Sequence, residues 1–209
     1  MQLIHFMSST ITPSILDLSI SWAEYYAIAK SYVEAPVKPE LYQNEKMLRY
    51  TADNIGRIDH ILKTINIESK LYNALSSVTH DMIWLVLTEP WCGDASQVVP
   101  VLHTIASCTD HISFRIIQSD AHPEIMDAFL TNGSRSIPKL ICLKADSLEP
   151  VGTWGPRPDA LQQIVLAQKD NPDLSFGAKV RMVHEWYAAD ASASIQEEFI
   201  DLIKQWNEK

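Results

Sequence analysis

Seven consecutive residues, Met82-Ile83-Trp84-Leu85-Val86-Leu87-Thr88, carry no charge. An apolar run this short, without alternation, predicts a strand covered on both faces and therefore central in a sheet. The period then changes. Val98, Val99, Leu102, Ile105 and Ala106 make one helix face, and Ile112-Ser-Phe-Arg-Ile-Ile117 returns to strand patterning. The segment reads as a β-α-β unit, and its first turn holds Cys92.

The flanks read mostly as helix. From Ser14 to Val33, the residues Leu18, Trp22, Tyr25, Tyr26, Ala29 and Tyr32 fall at helical spacing. One helix is expected there, ended by the prolines of Glu34-Ala-Pro-Val-Lys-Pro39. Leu48, Ile55, Ile58, Leu62 and Ile65 form the stripe of a second helix, with Arg49, Asp53, Arg57 and Lys63 mainly elsewhere. Both are read as packing elements. After Ile117 the pattern gives a short helix over 121–130, a hairpin from Lys139–Lys144 and Pro150–Trp154, and a helix with Leu161, Ile164 and Val165. Beyond Asn171-Pro172 two more helical patterns follow, one through Val180, Val183, Trp186 and Tyr187, the other through Ile195, Phe199, Leu202, Ile203 and Trp206.

Composition excludes several classes of function. A formal charge of -9, with no basic patch, argues against duplex nucleic acid or an anionic membrane surface as the main partner. No stretch approaches the ~18–20 uncharged apolar residues of a membrane span. Met1–Met7 lacks a positive n-region and its apolar run is short for a signal peptide, while three cysteines make no disulfide framework. A reducing, bacterial-type cytoplasm is the expected compartment. The histidines at 5, 60, 80, 103, 111, 122 and 184 are scattered without metal-ligand spacing, so no metal site is expected. Gly93, Gly152 and Gly155 form no phosphate-binding loop, and no motif orients His122 as a hydrolase partner for Cys92.

The order strand, cysteine turn, helix, strand, helix, Ile-Pro, two strands, helix resembles the thioredoxin superfamily over about residues 78–168. Trp91-Cys92-Gly93 matches the family's Trp-Cys-Gly-Pro-Cys opening, and Pro100 falls where thioredoxins carry the proline that kinks the active-site helix. Arg135-Ser136-Ile137-Pro138 matches the segment with the family's cis-proline, and Asp120 and Pro123 suit the turn after the middle strand. Together with Trp154-Gly-Pro-Arg-Pro158, the phrase Thr88-Glu-Pro-Trp-Cys-Gly-Asp-Ala95 is similar to a poorly characterised group of bacterial thioredoxin-family proteins with extra helices at both ends. The resemblance implies an α/β thioredoxin-like fold, a central mixed sheet flanked by helices. Its expected parts are a helical N-terminal extension (1–77), a thioredoxin-like domain (78–170) and a C-terminal helical addition (171–209). Three departures stand out: Ala95 replaces the resolving cysteine, Asp94 the proline between the cysteines, and Val86 the buried carboxylate.

Cys92 is the candidate catalytic residue. A thiolate attacks a disulfide to form a mixed disulfide, which in dithiol enzymes a nearby second thiol resolves. Cys108 would lie ~24 Å along a continuous helix and Cys142 roughly 13 Å along a strand, against the ~7 Å limit for Cα atoms in a disulfide. Both are read as inert core residues. Monothiol exchange remains, with a protein thiol or disulfide, or a small thiol such as glutathione or bacillithiol, as partner; no resident cofactor is implied. The alternative is a thioredoxin-fold binding module without catalysis.

The helix N-terminus favours the thiolate, whereas Asp94 and Glu89 oppose it. A moderately reactive thiol is expected, with Arg135 and Lys139 as compensating cations. Pro138 is expected cis beside Cys92, leaving the Ile137 backbone free to pair with an extended substrate. Trp91, Gly93 and Asp94 complete the expected substrate-binding surface, although Trp91 reads equally well as a partly exposed aromatic of the fold. Arg157 reads as an anion-binding group at the same end of the sheet or, with more weight, as a loop arginine bonded to backbone.

Overall fold

The computed structural model describes residues 10–36 and 39–209. The leader reading of Met1–Met7 and positions 37 and 38 of the proline linker lie outside them. Strand β1 (Met82–Thr88) is buried along its whole length. Its partners are β2 (Ile112–Gln118), which runs parallel, and β3 (Lys139–Lys144), which runs antiparallel and pairs in turn with β4 (Pro150–Trp154). The order β2-β1-β3-β4 puts the apolar run in the interior of a mixed sheet.

Side chains alternate along β1 and so feed two cores. Met82, Trp84 and Val86 face α5 (Gly93–Ala106), together with residues of α4 (Ser69–Ser76) and α9 (Ala193–Asn207). Ile83, Leu85 and Leu87 face the other way, onto Ile125 and Met126 of α6 (Pro123–Ala128) and Ile11 ahead of α1 (Pro13–Asp17). Tyr25 of α2 (Trp22–Glu34) and Phe199 of α9 belong to the same packed cluster as Trp84, so helices from both flanks share the core of the sheet.

The structure corrects the expected helix over 14–33, which is two helices, α1 and α2. Between them Ile20 exchanges both backbone hydrogen bonds with Ile116, at 2.7 and 2.9 Å, and so covers part of the outer edge of β2. Ser21 and Glu24 then start α2 with a reciprocal capping box. Helix α4 has no counterpart in the sequence reading; its Leu71, Ala74 and Leu75 are buried in the first core. The remaining helices are α3 (Glu45–Thr64), α7 (Asp159–Gln168) and α8 (Phe176–Asp190). Among the described residues, no helix is long and apolar enough to cross a membrane.

Candidate active site

Cys92 is the N-cap residue of α5, where the central strand hands over to the helix. Its N–H donates to the Glu89 carbonyl at 3.1 Å, and its carbonyl accepts from Ser96 N–H at 3.2 Å, closing the turn. The thiol points at the loop before β3 and donates to the Ile137 carbonyl at 3.5 Å. The Ile137–Pro138 peptide is cis. Gly155 lies against this loop with φ +109°, and a Cβ there would stand 2.4 Å from the Pro138 carbonyl oxygen. Only glycine satisfies both the backbone conformation and the approach.

The resting thiol is not the moderately activated one expected from the sequence. Cys92 is 8% exposed. Burial, followed by the nearby Asp94 carboxylate, pushes its pKa up to about 12, against the pull of the Ala95 and Asp94 N–H groups and Arg157. The cations proposed to compensate are placed elsewhere. Arg135 makes a bidentate pair with Asp127, both bonds at 2.7 Å, and Lys139 donates to the Thr131 hydroxyl at 3.1 Å.

Arg157 takes the expected compensating place. Its guanidinium grips Asp94 at 2.9 and 2.6 Å and also donates to Gln162 at 3.1 Å. Side-chain bonding thus replaces the expected backbone bonding. Tyr187 of α8 adds its hydroxyl to Asp94 at 3.1 Å, and His184, one helical turn before it, lies 3.4 Å from where a Gly93 Cβ would stand. The start of α5 is therefore covered by α8, and Gly93 and Asp94 face that helix of the C-terminal addition. Trp91 is half-buried and donates its indole N–H to Asp120 at 3.3 Å.

Two further contributors, Asn54 and Tyr25, come from distant positions that the sequence reading did not connect to Cys92, while Glu89 was weighed there only as a charge opposing the thiolate. Asn54 of α3 is buried and donates to the Pro90 carbonyl at 2.9 Å, anchoring the turn before the cysteine. Glu89 is buried at the end of β1 and accepts from Asp120 N–H at 2.7 Å and Ser119 Oγ at 3.3 Å. Burial is the main cause that lifts its carboxyl to about 7. Tyr25 is buried and interacts electrostatically with both Cys92 and Glu89. Neither Asn54 nor Tyr25 carries a local signal that points to Cys92. Cys108 donates to the Thr104 carbonyl, Cys142 is buried in β3, and all three cysteines are free. Among the described residues, no cluster of His, Cys, Asp and Glu is arranged to hold a metal.

No curated protein matches the chain. A crystal structure of a protein of unknown function from Pseudomonas aeruginosa resembles it with a TM-score of 0.58 at 17% identity, covering 88% of this chain and 98% of that one. An HIV epitope scaffold, 18% identical over the same shares, has a TM-score of 0.49. The first likeness is one of fold. The thioredoxin family model matches residues 40–174, well over half of the sequence, and with the mixed sheet and the cysteine at the first turn this places the chain in the thioredoxin family.

Proposed function

We propose that this protein carries out monothiol thiol–disulfide exchange at Cys92. The observation that carries the reading is the position of the sulfur: at a helix start, against the Ile137 carbonyl, with alanine three residues on. The Cys92 thiolate attacks a disulfide R–S–S–R′, its new bond giving Cys92–S–S–R while R′S⁻ leaves. A second thiol from solution then attacks the R sulfur, its proton is lost to solvent, and Cys92 departs as thiolate. Before the first step the Cys92 thiol gives its proton to solvent, a loss that its burial disfavours. The substrate is a protein disulfide or that of a small thiol, and the compartment is a reducing cytoplasm.

One observation favours the alternative, a binding module without catalysis: the same burial that raises the thiol also hides it. Incubation with oxidised glutathione followed by intact-mass measurement separates the two. Exchange chemistry gives a stoichiometric glutathione adduct that is absent in Cys92→Ser and removed by excess reduced glutathione. A wild-type protein that stays unmodified while an unhindered model thiol reacts rejects exchange in favour of the module.

A further inference from the structure

A cleft of about 750 Å³ lies behind the cysteine turn, between α3, α5, α8 and the start of α9. Its apolar lining includes Ile61, Ile65, Val101 and Ile195. Among the described residues that line it, Arg57 is the only Lys or Arg and Asp53 the only Asp or Glu. The Arg57 guanidinium is half-buried, and its one hydrogen bond among the described residues goes to the neutral Asn54 side chain, at 2.7 Å. No carboxylate stands within ion-pair distance of it among the described residues, Asp53 acting on it only through the field, whereas Arg135 and Arg157 each hold one bidentately. Partly desolvated charges are ordinarily paired, and a guanidinium fork matches a carboxylate with two parallel bonds. The cleft wall also contains two successive non-glycine residues in the left-handed region, Ala191 at φ 48° and Ser192 at φ 71°. Such backbone costs about 1–2 kcal/mol per residue and concentrates at functional sites.

We infer that this cleft binds a small monocarboxylate with an aliphatic body, its carboxylate on Arg57 and its chain on the isoleucine floor. The volume lies within the range of small-molecule sites, which are mostly apolar with a few placed polar groups. Asp53, one helical turn before Arg57 and exposed, sets the charge limit: a second anionic group near it is repelled, so monoacids are preferred to diacids. The site is separate from Cys92 and stands whichever reading of that residue holds. It is nonetheless tied to the cysteine turn, because the Asn54 that accepts from Arg57 also donates to Pro90.

The test is a titration of the full chain with octanoate, followed by amide chemical shifts, with octylamine and the eight-carbon diacid as comparisons. Octanoate is expected to give saturable shifts centred on Gly56, Gln97 and Ser192, and octylamine none. The diacid should bind more weakly than octanoate. Arg57→Gln should weaken octanoate about tenfold or more, as loss of a charge-assisted bidentate contact does. Ala188→Phe, at an exposed position on the rim, should block binding without touching the core, and serves if Arg57→Gln does not fold. Absence of saturation, equal binding of the amine, shifts centred elsewhere, or octanoate binding unchanged in both variants would overturn the assignment.

Discussion

Glu89, just past β1, and Cys92, at the start of α5, sit three positions apart, and burial acts on both in the same direction, favouring the protonated form. For Glu89 this has a consequence for stability. Its carboxyl rises from 4.5 to about 7 on folding, so the native state binds the proton more tightly than the unfolded chain. The stabilisation is complete below pH 4.5 and is lost as the pH rises through 7, a change of about 3 kcal/mol. Glutamine cannot ionise, so Glu89→Gln should gain on the wild type by up to that amount between pH 4.5 and 8, measured as the difference in urea unfolding free energy. A difference that stays flat across the range sinks the assignment. The sequence made Cys92 and Pro138 legible because their neighbours form a local signature. It could not pair Asp94 with Arg157, since opposite charges 63 positions apart carry no spacing signal and only the fold brings them together. Arg135 and Lys139 were misassigned for the complementary reason: nearness in sequence to Pro138 did not bring them to the sulfur.

Elements with a continuous apolar run or a clear apolar stripe were read well. β1, β3 and β4 lie where the apolar patterns placed them, and α3 follows its stripe. The expected helix over 14–33 failed because periodicity cannot see that Ile20 pairs with a strand almost a hundred residues later, and α4 escaped notice because eight residues carry little pattern. A glycine explains how α9 docks on the sheet. A Cβ at Gly152 of β4 would stand 2.0 Å from the Trp206 indole nitrogen, so the absent side chain makes room for the ring. Trp206 in turn packs edge-on against Trp84 and Phe199. Gly152→Ala therefore overfills a tight contact, where strand propensity alone would favour alanine. It should destabilise the protein by about 1–3 kcal/mol, read from the urea midpoint at unchanged slope. A neutral or stabilising result would show that α9 can shift away from β4 at little cost.

At the scale of the whole molecule, the division into an N-terminal extension, a thioredoxin-like domain and a C-terminal addition describes the sequence patterns, while the packing runs across those borders. Ile195, Phe199, Ile203 and Trp206 of α9 are all buried in the cluster that contains Trp84 of the central strand, and α9 also covers Leu71 and Leu75 of α4. The polar contacts cross as well. Gln196 accepts from Glu68 N–H at 2.8 Å and donates to the Asn66 carbonyl at 3.1 Å, and Tyr187 reaches Asp94 at the start of α5. Ending the chain at residue 170 would remove these side chains and uncover the face of Trp84 on which they pack. Each large apolar side chain contributes about 1.5–3 kcal/mol on burial, and the total stability of a domain is only about 5–15 kcal/mol. Loss of four such residues, together with the two hydrogen-bonded links, approaches that total. The 1–170 fragment should therefore lack a cooperative thermal transition and bind a hydrophobic dye, with near-ultraviolet circular dichroism lost. A fragment that unfolds cooperatively with native near-ultraviolet signals would show instead that the sheet and its N-terminal helices fold alone. In that case the cover over Cys92 is a separable appendage, and the fragment's thiol should react faster than that of the full chain.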